Sequence, residues 1–209
     1  RCLATFVLLA AAVSAQPSPR RATYLAALVA HPTFYHLRPI VVVGTVALQD
    51  SGQLVVTSDG TSLHLISKVG APEGLDEIRG EFWDLGRMNA DDPRLVGYDL
   101  KTTFKIDPEG PWPRPGQVMA IIASAISAAA QPAAPTVRNI VLYPSRYADQ
   151  RVTVTGQFGG RNLLGDLPNA PALSRYDFVL RSADAAIWVS NIRPRGKDFD
   201  LALDARLDT

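Results

Sequence analysis

The sequence predicts an all-β protein with short helices, built as two tandem small β-barrels of which the second is incomplete. Three observations carry that expectation. Short β-branched runs are broken throughout by 16 Pro and 15 Gly, a composition that favours short strands joined by turns over long helices. One pattern of Pro, Tyr, an apolar strand run and Gly occurs twice in the same order. Between the two occurrences lies an Ala/Pro stretch, AAAQPAAP at 128–135, with the composition of a linker. The 209 residues are 47% hydrophobic, with 21 basic against 20 acidic side chains, which argues against a disordered tail or a strongly nucleic-acid-seeking protein. At roughly 100–200 residues per domain, the length allows one large domain or two small ones.

Residues 1–15 read as a signal peptide. Arg1 supplies a positive start, residues 3–13 form an apolar run, and Val13 and Ala15 stand at the minus-three and minus-one positions before Gln16. The run is shorter than the roughly 20 residues a spanning helix needs, and Pro17 and Pro19 follow at once. Export with cleavage is therefore expected, to the periplasm or the exterior, with no transmembrane segment in the mature chain. Cys2 precedes the apolar run instead of following it, where a lipid-modified cysteine would stand. The mature chain would then hold no cysteine, which excludes disulfides and Cys-ligated zinc.

The repeat fixes the domain organisation. PTFYHLRPIVVVG at 32–44 matches PSRYADQRVTVTG at 144–156 without a gap, pairing Pro32 with Pro144, Tyr35 with Tyr147 and Gly44 with Gly156 at an offset of 112. LVVTSDGTSLHLIS from 54 aligns with FVLRSADAAIWVSN from 178 at an offset of 124, which also pairs Asp84 with Asp208. The change of offset places a twelve-residue insertion in the second copy, around GGRNLLGDLPNAP. Two blocks in the same order point to duplication.

Each copy is expected to open with one or two helical turns, 24–30 and 137–142, stopped by Pro32 and Pro144 because proline cannot continue a helix interior. A strand follows. In RVTVTG, Val152 and Val154 alternate with Arg151, Thr153 and Thr155, the period of a half-buried strand, and Gly44 and Gly156 are expected to close these strands at a bend. A strand pair comes next, about 54–58 with 62–67 and 177–182 with 185–190, and Ser58, Asp59 and Gly60 supply hairpin chemistry in the first copy. Asp91 and Asp92 before Pro93 read as the cap of a helix over 94–103. The segment 116–130 divides between Ala, Met and Ile, which favour helix, and the β-branched Val118, Ile121, Ile122 and Ile126. A closing strand is the expectation there, because a barrel needs one. Residues 198–208 alternate most strictly, Phe199, Leu201, Leu203, Ala205 and Leu207 against Asp198, Asp200, Asp204, Arg206 and Asp208, a strand with one wet face.

The pattern of a short helical turn, Pro, an aromatic turn and a V-x-V-x-G strand resembles the OB-fold-like modules found in tandem in uncharacterised exported bacterial proteins. The resemblance covers both copies and implies a small barrel that binds something; it carries over no catalytic residue. The expected boundaries are a first OB-like barrel at 20–127, a linker at 128–136 and a second OB-like barrel at 137–209, which stops where the first copy continues for about forty residues more.

Chemistry-bearing patterns are few. The sequence lacks G-x-S-x-G, H-E-x-x-H and G-x-x-x-x-G-K-[ST], so the commonest hydrolase, zincin and nucleotide-binding signatures are missing, and no catalytic residue, metal or cofactor is assigned. His31 and His36 are five residues apart with Pro32 between them, poor spacing for two ligands on one helix face, and His64 stands alone; all three read as turn or surface residues. Asp198, Asp200 and Asp204 lack the glycine of a calcium loop. The one patch that suggests binding lies in the second copy. Arg193, Arg195 and Lys197 crowd a loop broken by Pro194 and Gly196, just after a strand carrying Trp188, with Arg161 in the inserted loop and Arg181 in the preceding strand. Aromatics for stacking and cations for a backbone are what a polymer-binding barrel face uses, although a core Trp188 and solubilising arginines are the plainer reading.

Three functional classes follow: a non-catalytic exported module recognising an envelope polymer, peptide or partner domain; a nucleic-acid-binding OB-fold protein; and the accessory region of an enzyme lying beyond residue 209. The first leads. Residues 20–112 carry 9 basic and 12 acidic side chains and 135–209 carry 10 and 8, weak excesses for a nucleic-acid binder.

Overall fold

A computed structural model describes residues 20–168, 174 and 176–192. The chain enters through a two-residue strand, β1 (Arg21–Ala22), and two short helices, α1 (Leu25–Ala30) and α2 (Pro32–Tyr35). Pro32 sits in the first turn of α2, where its missing N–H costs nothing. Leu25, Leu28 and Tyr35 are buried in the same apolar cluster as the strand residues Ile40, Val42, Val56, Ile78, Phe82 and Ile121.

Those strand residues line the interior of a closed five-stranded barrel. Its strands are β2 (Arg38–Leu48), β3 (Leu54–Ser58), β4 (Thr61–Ile66), β5 (Leu75–Asp84) and β6 (Met119–Ala128). β2 pairs antiparallel with β3 and β3 with β4; β4 runs parallel to β6, β6 antiparallel to β5, and β5 returns to β2 to close the ring. Residues 116–130 thus supply the closing strand, because Ile121 is needed inside while Ala120 and Ile122 are covered outside. Asp59 and Gly60, at φ 48° and 74°, make the tight turn whose twist suits a hairpin.

Gly44 does not end its strand: β2 continues through it to Leu48. A Cβ there would lie 2.6 Å from Val56 Cγ2 and 2.8 Å from the Thr57 carbonyl oxygen. The glycine lets β3 approach where β2 passes from its β5 partner to its β3 partner, the bend of a small barrel.

The connection from β5 to β6 corrects a second expectation. Residues 94–103 are not one helix. A 3-10 turn at Pro93–Leu95 has Asp92 accepting from the Arg94 N–H, the chain then turns at Gly97, and a separate helix α3 (Leu100–Thr103) starts with Asp99 accepting from the Lys101 and Thr102 N–H groups. Each aspartate caps its own turn. The excursion folds Leu95, Phe104 and Ile106 over Trp83 and Ala120, the outer side of the β5–β6 wall. Asp84, fully buried, fastens its end by accepting from the Gly116 N–H at 2.9 Å and from Arg87 Nε at 2.9 Å.

The second unit starts as the first does. α4 (Val137–Leu142) and α5 (Pro144–Tyr147) are joined at Tyr143, whose φ and ψ of −131° and 58° match the −131° and 53° of His31. Its sheet is smaller than expected: β7 (Gln157–Phe158), β8 (Phe178–Arg181) and β9 (Ala186–Val189) form an open three-stranded antiparallel sheet, and no second barrel closes among the described residues. The strand expected at 151–156 is also displaced, since ladder pairing begins only at Gln157. In the first unit the matching strand is held by β5; the expected offset of 124 would place the counterpart of β5 at 199–208, outside the described residues. Asp198, Asp200, Asp204 and Asp208 lie outside them too.

The two units pack through the outer face of β2. Val41 and Val43 are buried against Val137, Val141 and Leu142 of α4, and Ala185 completes the cluster. Arg138 ties the joint electrostatically, reaching Glu77 at 2.9 Å and pairing with Asp184, and the Ala22 N–H donates to the Asp184 carbonyl at 2.8 Å.

Candidate ligand site between the two units

Docking the second unit on β2 leaves a cavity of about 390 Å³ between them. Thr23, Tyr24 and Tyr35 face it from the first unit, and Ile140, Pro144 and Trp188 from the second. The size falls at the lower end of the range for small-molecule sites, about 300–1,000 Å³. A narrower cleft adjoins it, sharing Arg21, Asp166 and Ala186 and adding Arg20 and Arg181.

The polar edge is built around Asp166, in the connection between β7 and β8. Arg21 Nη2 lies 3.6 Å from its Oδ1 and Arg181 Nε 3.5 Å from its Oδ2. Both contacts are ion pairs longer than good hydrogen bonds, and the buried Arg181 Nε finds no hydrogen-bond acceptor among the described residues. Behind Arg21 the Phe34 ring is flanked by two cations, Arg38 at 4.2 Å and Arg21 at 5.5 Å from its centroid. Burial lowers the Arg21 guanidinium from its usual value; Asp166 opposes this, while Arg38 and Arg181 add to it.

The wall beside the arginines is aromatic. The Thr23 hydroxyl donates to Tyr35 Oη at 3.1 Å; burial raises the Tyr35 phenol, against that bond. Trp188 is half-buried, and its Nε1–H is buried without a hydrogen-bond partner among the described residues.

Of the residues singled out in the sequence, Trp188 and Arg181 reach this place. Arg161 does not line it; its guanidinium donates to the Ser174 carbonyl at 3.2 Å. Arg193, Arg195 and Lys197 lie outside the described residues. Arg21, Tyr24, Tyr35 and Asp166 were not foreseen. The available signal was the pairing of Arg20 and Arg21 with the aromatic Phe34–Tyr35 turn, which means nothing until helices and strand bring them together.

The histidines are dispersed. His36 Nδ1 accepts from the Asp84 N–H at 3.1 Å, and burial lowers its pKa. His64 lines a groove of about 270 Å³ with Gln53 and Thr103. Among the described residues no three His, Cys, Asp or Glu side chains converge as a metal site, and no helix is long and apolar enough to cross a membrane.

Comparison with protein-family models, with curated proteins and with solved structures returned no match for this chain.

Proposed function

We propose that this chain is a non-catalytic binding module of the periplasm or cell exterior, made of two duplicated OB-fold-like units and recognising its ligand at their junction. The observation that carries the reading is the cavity between the units, which pairs an apolar and aromatic wall with arginines on one edge. The barrel supports the OB-like assignment through its ring of five strands with one parallel closure. The equal offset of the helix pairs, 112 residues, supports duplication. The reading sets the unit boundaries near residues 128 and 136, with the leader before residue 16 removed on export.

Nucleic-acid binding finds less support. Trp83 of β5 is covered by Tyr98 and Phe104 of the β5–β6 connection, with centroids 5.6–6.4 Å apart, instead of presenting a flat face for bases.

Two measurements test the proposal. Mass spectrometry of fractionated cells should find the chain beginning at Gln16 in the periplasm or medium; recovery only in the cytosol with residues 1–15 intact overturns the exported reading. A fragment screen by NMR should give saturable shifts of the Trp188 indole N–H, lost when Ile140→Trp fills the cavity. Fragments that bind elsewhere and are indifferent to Ile140→Trp remove the junction as the site.

A further inference from the structure

We infer that the junction takes an apolar ligand carrying an anionic head group, with the head between Arg21 and Arg181 and the body against Trp188 and Ile140. The inference rests on the junction being a binding site and adds the chemistry of what enters it. Two guanidinium groups converge on one carboxylate, Asp166, at 3.6 and 3.5 Å, so among the described residues two positive charges share one counterion. Asp184, the other acid of the cleft, is already engaged by Arg138. Among the described residues, the buried Arg181 Nε has a proton to donate and no hydrogen-bond acceptor to receive it. A buried donor without a partner is costly, and a charged oxygen is its strongest acceptor. The cleft opens into the larger cavity through Arg21, Asp166 and Ala186, so a head held by the arginines puts its body where the walls are apolar.

Asp166 sets the affinity. Its carboxylate occupies the arginines in the free protein and competes with an incoming anion, so it acts as a built-in competitor.

The test uses three probes of one shape: 4-phenylbutyrate, 4-phenylbutyl phosphate and the neutral 4-phenylbutanol, titrated calorimetrically into the full chain at low and physiological salt. The carboxylate or the phosphate, whichever head the cleft favours, should bind about tenfold more tightly than the alcohol, and the preference should shrink with added salt. Arg181→Gln should bring acid and alcohol to within about twofold of each other. Asp166→Asn should move the other way and tighten the anions about tenfold without changing the alcohol, a gain that a merely loosened fold would not produce. Equal binding of acid and alcohol, or an Asp166→Asn variant that binds the anions no better, overturns the anionic head while leaving the junction as an apolar site. Absence of saturable binding by all three probes overturns both.

Discussion

Leu37 and Asp149, 112 positions apart, both hold the backbone left-handed, with φ of 56° and 57°. Each follows a proline-started helical turn and redirects the chain at the same point of its unit. An L-residue pays for this conformation and glycine does not. Asp149 is exposed, so Asp149→Gly should stabilise the second unit by a few tenths to about 1 kcal/mol. Leu37 packs against the Trp83 cluster, so Leu37→Gly should lose more in packing than it gains in backbone. Chemical denaturation of both variants checks the contrast; equal effects would mean the two turns are not constrained alike.

Val43 is buried against α4, whereas Thr155 holds the corresponding place in the second unit and is exposed. Val43→Thr puts a hydroxyl into the apolar joint and should cost about 1–2 kcal/mol. Limited proteolysis should cut the linker at 129–136 faster in this variant, while the barrel keeps its own resistance. Unchanged cleavage would show that the joint does not depend on this face.

Gly44 leaves no room for a methyl group, with backbone of β3 on one side and Val56 on the other. Gly44→Ala should destabilise the barrel by about 2–3 kcal/mol through forced separation of β2 and β3. A thermal melt reads it directly, and a melting temperature within a degree of the parent would contradict the packing described.

Asp76 is fully buried on β5 beside Gly44, and neither carboxylate oxygen has a hydrogen-bond partner among the described residues. Burial raises its pKa above 3.8. The native state therefore holds this proton more tightly than the unfolded chain does, and the parent protein loses stability as pH rises from 3.8 to the raised value. Asp76→Asn should be more stable than the parent at pH 7, by about 1–3 kcal/mol, and the difference should vanish by about pH 4. Denaturant midpoints across that range check it; a constant difference would assign the effect to shape and not to charge.

Much of the barrel was legible because it rests on local rules. The helical turns stopped by Pro32 and Pro144 and the hairpin at Asp59–Gly60 follow from backbone chemistry within a few residues, whereas the strand around Ile121 was expected because a barrel needs one to close. Residues 94–103 are divided by the same local chemistry, since Asp99 offers a second cap that restarts the helix after the turn at Gly97. The run Ile40, Val41, Val42, Val43 is apolar without alternation, which marks a strand covered on both faces, whereas Val152, Thr153, Val154, Thr155 alternates and is left largely open.

By itself, the sequence determined the short strands and turns of the first barrel, properties of neighbouring residues. The tertiary structure decided the site. Arg21 and Arg181 stand 160 positions apart, and Asp166 meets both only because α4 covers Val41 and Val43 and the turn at Asp184 bonds to Ala22. A charge pattern along the chain carries no record of which apolar face another unit will bury, and it is that burial which brings the arginines, the aspartate and the tryptophan to one cavity and its adjoining cleft.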